Sequence, residues 1–128
     1  MFETEGSETG QPQEDAGGAV DGVRLETLGE ALVLRVAGAL DLALAPKLRH
    51  LVDRARRLAP SVLVIDLTEV RFLASAGMAE LVRAQRSTAP MAVRVVATGR
   101  ITLRPLELTR LTDELVIVPT LSAALDPA

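Results

Sequence analysis

The run SVLVIDL, Ser61 to Leu67, has few possible placements in a folded chain. A short continuous apolar segment of this kind reads as a central strand covered on at least one face. The segments around it supply the cover. Before it, DLALAPKLRHLVDRARRLA sets Leu44, Leu48, Leu51, Val52, Ala55 and Leu58 at helical spacing. Proline fits only the first turn of a helix, so Pro46 places the start near Ala43 to Ala45, and Pro60 closes the helix. After it, SAGMAELVRAQRS forms a second helix with Met78, Leu81, Val82 and Gln85 along its inner side, ended by Pro90.

The remaining pattern repeats this alternation. VRLETL and ALVLRVAGAL flank a Gly29-Glu30 turn and read as an antiparallel hairpin. MAVRVVA gives a fourth strand, ITLRPLELTRL a weaker helix with Pro105 near its start, LVIVP a last strand and TLSAALDPA a short closing helix or frayed end. A hairpin followed by βα units predicts an α/β domain over 23–128. Its mixed sheet has about five strands and packs against about four helices.

Residues 1–22 differ in character. Residues 1–21 hold six acids (Glu3, Glu5, Glu8, Glu14, Asp15, Asp21) and no base, which leaves 14 bases against 11 acids in the rest of the chain. The segment is polar and Gly-rich and reads as a disordered acidic tail. The mild positive balance beyond it is too dispersed for a nucleic-acid footprint, and aromatic stacking residues are lacking. With no cysteine and one histidine, disulfides, thiolate chemistry and multi-imidazole metal sites are excluded. No apolar run reaches the ~20 residues of a membrane span, and no signal peptide is evident, so a cytoplasmic location is expected.

One hydroxyl stands out. Ser75 sits between Ala74 and Ala76, where a strand and its connecting loop deliver the chain to a helix N-terminus. Three roles fit. Ser75 could cap the helix by accepting a first-turn N–H. It could be a nucleophile on a sharp turn, but Leu73 stands where the upstream glycine of such an elbow belongs, and mid-helix His50 is the only available base. It could be a phosphoacceptor, since a helix N-terminus tolerates phosphate and the small neighbours and Gly77 leave the hydroxyl open. Asp41, after the second strand, reads as a cap or Asx-turn residue leading into the first helix. Asp66 reads as the end of its strand, which would let Asp41, Asp66 and Ser75 share one edge. ATGR, Ala97 to Arg100, reads as an ordinary loop or an anion-binding turn.

Taken together, GALDLALAPKLRHLV, VLVIDLTEVRFLASAGMAELVRA and RPLELTRLTDELVIVPTLSAAL resemble a STAS domain, and more narrowly the bacterial anti-sigma factor antagonists. The resemblance runs from Val23 to Leu125. It implies a non-enzymatic binding protein without cofactor or metal, a monomer or weak dimer. By motif position Ser75 is the phosphoacceptor, and Asp41 is the acidic residue that supports it. Ala74, Ala76, Gly77 and Met78 form the surrounding partner-binding stretch. The implied partners are an anti-sigma factor that is itself a serine kinase of the histidine-kinase-like ATPase class, and a serine phosphatase that resets the switch. The unphosphorylated protein holds the kinase and frees the sigma factor; the phosphorylated protein lets go. The family often has Asp before the acceptor and Ser or Thr after it, where this chain has Ala74 and Ala76. STAS domains also serve as non-switching scaffolds, ligand sensors and transporter adaptors, and the missing Asp at position 74 is the feature that favours that alternative.

Overall fold

The computed structural model describes residues 22–87 and 91–126. The expected acidic tail lies outside the described residues apart from Gly22, the first residue of the first strand, and Pro90 lies outside them too.

The elements follow in the order β1 (Gly22–Leu28), β2 (Ala31–Leu40), α1 (Ala45–Arg57), β3 (Val62–Leu73), α2 (Ser75–Ser87) and β4 (Ala92–Val96). A π-helical turn (Gly99–Leu103) then runs into α3 (Arg104–Leu108), and a 3-10 turn leads to β5 (Ile117–Val118) and α4 (Leu121–Leu125). The five strands lie in the order β1-β2-β3-β4-β5. β1 and β2 are antiparallel, closing at Leu28↔Ala31 around Gly29, whose φ of 61° suits a residue without Cβ. The other pairings are parallel, and β2 and β3 end side by side at Leu40 and Leu73, while β4 ends earlier, opposite Asp66.

Alternation along the strands divides the apolar residues between two faces. Leu32, Leu34, Val36, Leu63, Ile65, Val93 and Val95 join Leu48, Val52, Leu81 and Leu106 of the helices in the main core. Val33, Val64 and Val96 face the other way and are covered by Ala124, Leu121 and Leu125 of α4. That short helix is held at both ends. The Thr120 hydroxyl oxygen accepts the Ala123 N–H at 3.0 Å, and Arg94 Nη1 donates to the carbonyls of Ala124 and Asp126 at 2.7 and 2.9 Å.

Two expectations fail for physical reasons. Leu58 is 59% exposed, because α1 ends at Arg57 and the chain turns at Ala59 (φ 52°) before the last inward position is reached. Asp66 does not end its strand: β3 continues to Leu73, carried past Asp66 by two register shifts against β2. Each places one extra β3 residue opposite β2, and each breaks the in-out alternation that would have marked the segment as strand. Gly38, at the second shift, takes a φ of 89°.

Asp66 is therefore mid-sheet and buried. Its carboxylate accepts the Thr68 N–H at 2.9 Å and Arg35 Nη1 at 3.3 Å. Arg35 also binds Glu26, which pairs with Arg24, giving a chain of ions across β1, β2 and β3. The Arg35 hydrogen bond holds the Glu26 carboxyl below its ordinary range. The role of Asp66 is structural, and the edge bearing Ser75 does not include it.

Candidate functional site

The C-terminal ends of β2 and β3 are tied together before the chain leaves them. Leu40 pairs with Leu73, and the Ala74 N–H donates to the Leu40 carbonyl at 3.0 Å. Asp41 and Ser75 each follow this tie by one residue, so the structure brings these two expected site residues to one place.

Asp41 is committed to the chain around it. Its Oδ1 accepts the N–H groups of Ala43 and Leu44, both at 3.1 Å, and its carbonyl accepts the Ala45 N–H at 2.9 Å. This is the expected Asx-turn role: with Leu44 giving no side-chain cap, the Asp41 carboxylate orders the entry to α1.

Ser75 is placed one residue later than a cap. The Met78 N–H donates to the Ala74 carbonyl at 3.0 Å, which makes Ala74 the cap position and Ser75 the first residue inside α2. The methyl group of Ala74 accepts nothing. The Ser75 hydroxyl is exposed and makes no hydrogen bond among the described residues. The first turn of α2 thus combines an empty cap position with an uncommitted hydroxyl. Ala74→Asp should raise stability by about 1 kcal/mol, the usual gain of a capping side chain over alanine. On thermal unfolding this appears as a rise of about 4–8 °C in Tm, and an unchanged Tm would mean that the first-turn N–H groups are already satisfied.

Gly77 has a packing role that differs from the expected one of opening space beside the hydroxyl. It is buried, and a Cβ there would lie 2.6 Å from Leu40 Cγ and 2.7 Å from the Leu40 carbonyl oxygen. Only glycine allows the first turn of α2 to rest on the end of β2, which sets the height at which Ser75 stands above the sheet edge.

Two grooves flank the exposed ridge of α2. One, of about 630 Å³, runs between α2 and the segment after β4; Ser75, Met78, Ala79, Val82, Thr109 and Leu111 line it, with Arg83 and Arg86 at the same wall. The other lies between α1 and α2 over Leu42, Ala45, Pro46, Ala76 and Ala79. Leu42 is 78% exposed and Phe72 57%, unusual for large apolar side chains. Ser75 itself borders the apolar side chains of Met78, Val82 and Leu111 in its groove, and Ala74, Ala76 and Met78 are partly buried.

Ion pairs between the helices hold this ridge in place, and nothing in a linear pattern identifies them. Glu80 is buried on α2 and accepts Arg49 of α1 and Arg83 of its own helix; Arg83 also reaches Asp53 of α1 at 3.0 Å. Burial disfavours the Arg83 charge, but the hydrogen bonds to Asp53 and Glu80 outweigh it and raise its pKa. His50 is exposed on α1 and makes no hydrogen bond with Ser75 among the described residues. ATGR is the entry to the π-helical turn, with Gly99 at φ 78° and the Thr102 hydroxyl donating to the Thr98 carbonyl at 3.0 Å. Among the described residues no helix is long and apolar enough to cross a membrane, and no group of three or more His, Cys, Asp or Glu could hold a metal ion.

Known proteins share this architecture. The family model described as STAS domain matches residues 22–124. RsfB of Mycobacterium tuberculosis, an anti-sigma-F factor antagonist, is 35% identical over 95 residues, covering 73% of this chain and 77% of that protein. The crystal structure of an anti-sigma factor antagonist from Mycobacterium paratuberculosis has a TM-score of 0.76 at 34% identity, over 80% of this chain and 89% of that one. SpoIIAA in its unphosphorylated form is similar in fold, with a TM-score of 0.67 at 17% identity over 81% of this chain and 93% of that one. With its antiparallel hairpin, parallel βα units and helix-start serine at the sheet edge, the chain belongs to the STAS domain family, among the anti-sigma factor antagonists.

Proposed function

We propose that this protein binds an anti-sigma factor through the edge around Ser75, and that phosphorylation of Ser75 by that same partner releases it. The partner is a serine kinase of the histidine-kinase-like ATPase class, a serine phosphatase reverses the modification, and the protein works in the cytoplasm to regulate sigma-factor-dependent transcription.

The observation that carries this reading is the uncommitted, exposed Ser75 hydroxyl on the first turn of α2, set in apolar surface. A hydroxyl that caps nothing can enter a kinase site without breaking the fold. A phosphoryl group there adds roughly −1.5 to −2 charges at neutral pH. The positive end of the helix dipole favours that charge, whereas a partner pressed on Met78, Val82 and Leu111 would have to desolvate it. The fold thus tolerates what the complex does not. Ala76 leaves Ser75 as the only hydroxyl between Leu73 and Leu81. Asp41, held by two backbone N–H groups, fixes the loop beside the acceptor and supplies the carboxylate that position 74 lacks.

A relative named for anti-sigma-F factor makes a factor of that type the partner to test. Incubation of the protein with it and ATP, followed by phosphopeptide mapping, should place a single phosphate on Ser75 and none on Ser75→Ala. Phosphate on another residue, or unchanged incorporation in Ser75→Ala, would contradict the switch. Tight binding without any phosphorylation is the result expected of a non-switching scaffold.

A further inference from the structure

The chain has no cysteine, so its three methionines are the side chains open to reversible oxidation by peroxides. Met1 lies outside the described residues. Met91 is buried in the main core, 7% exposed. Met78 is only partly buried and lines the same groove as Ser75. At i+3 from Ser75, it stands one turn further along the same face of α2. Its sulfur meets the Thr109 hydroxyl of the facing segment at 3.8 Å, in a contact that is itself exposed.

Thr109 is placed to receive the product of an oxidation. Its hydroxyl donates to the Pro105 carbonyl at 2.8 Å, and that carbonyl also accepts the Thr109 N–H at 3.2 Å. Turning the hydroxyl away therefore leaves the carbonyl paired. An oxygen added to the Met78 sulfur would lie within hydrogen-bond reach of Thr109 Oγ1, and it would accept far better than a thioether does.

We infer that Met78 is an oxidation site through which a hydroperoxide acts on the Ser75 groove. The thioether sulfur attacks one peroxide oxygen, and an S–O bond forms as the O–O bond breaks. Water leaves from hydrogen peroxide, or an alcohol from an organic hydroperoxide; sulfur is oxidised by two electrons and the peroxide is reduced. The product replaces an apolar stretch of wall with a polar, chiral group. In the free protein, water and Thr109 satisfy the new oxygen. A partner seated over Met78, Val82 and Leu111 would strip the water away, and an acceptor buried with unmet lone pairs weakens the complex. Oxidation is thus a second input at the same groove, uncharged and independent of the kinase. Its effect on binding rests on the partner proposed above; the reactivity of Met78 does not.

The test uses the full chain and hydrogen peroxide. Peptide mass mapping over time should show sulfoxide forming at Met78 at least about five-fold faster than at Met91. Equal rates, or a faster Met91, overturn the site. Once peroxide is removed, protein oxidised at Met78 should bind an anti-sigma-F-type factor about 10-fold more weakly than before treatment. A methionine sulfoxide reductase should restore the affinity. Met78→Leu, titrated before and after peroxide, should show no change, and Met91→Leu should keep the loss. Unchanged affinity after oxidation of Met78, or a peroxide-dependent loss that persists in Met78→Leu, overturns the control of binding. A factor that fails to bind even the untreated protein counts against the proposed partner instead, and the rate comparison then decides the inference alone.

Discussion

Gly77→Ala is expected to destabilise the protein by about 2 kcal/mol, although alanine is the better helix former. Propensity alone favours alanine by about 1 kcal/mol. Against it, the new methyl group would lie 2.7 Å from the Leu40 carbonyl oxygen and 2.6 Å from Leu40 Cγ. The first of these is backbone at the end of β2, hydrogen-bonded to Ala74, and cannot rotate aside. Overpacking of this kind costs up to about 3 kcal/mol, so sterics win by about 2. Thermal unfolding should show a Tm lower by about 10 °C for a domain of this size. A Tm equal to or above the parent's would mean that α2 rides higher on the sheet than described. Because the same contact sets the position of Ser75, the variant should also lose partner affinity in proportion to the shift of α2.

Ser75→Glu should leave the fold intact and weaken partner binding about 100-fold. The two halves of this prediction come from one location. At the first turn of α2, a carboxylate meets the positive end of the helix dipole, worth 0.3–1 kcal/mol in favour of the folded state. In the complex, the same carboxylate would be pressed against the apolar surface of Met78, Val82 and Leu111, which line one groove with Ser75, while Arg83 and Arg86 of that groove are already tied to Asp53, Glu80 and Glu114. A buried charge without a partner costs about 3 kcal/mol, or about 100-fold in affinity. Ser75→Ala keeps the surface apolar and should bind as the parent does. The comparison separates charge from side-chain loss, since both variants remove the hydroxyl and only one adds a charge.

The sequence disclosed those elements that obey one period throughout. α1 was legible because Leu48, Val52 and Ala55 repeat at helical spacing behind Pro46, the core of β3 because its apolar run is unbroken, and β2 because only Arg35 interrupts its apolar run. β3 beyond Asp66 was not, because two bulged residues replace alternation with a buried residue at every third position, Val70 and Leu73. At the site, the pairing of Asp41 with Ser75 on one edge followed from topology alone. The exact start of α2 is not legible, since serine is a strong cap former and alanine a poor one, yet Ala74 takes the cap position. The ties of Glu80 to Arg49 and of Arg83 to Asp53 span some thirty positions and exist only once α1 and α2 pack. The strain that Gly77 relieves was equally hidden, because a glycine in a helix shows its reason only when its neighbour across the sheet edge is known.

The central claim is that charge at Ser75 controls partner release. Calorimetric titration of an anti-sigma-F-type factor with the unphosphorylated protein, its Ser75-phosphorylated form and Ser75→Ala, in the presence of nucleotide, tests it most directly. The account predicts tight binding by the unphosphorylated protein and by Ser75→Ala, and a loss of at least about 100-fold in the phosphorylated form. Equal affinities for the phosphorylated and unphosphorylated proteins would contradict it.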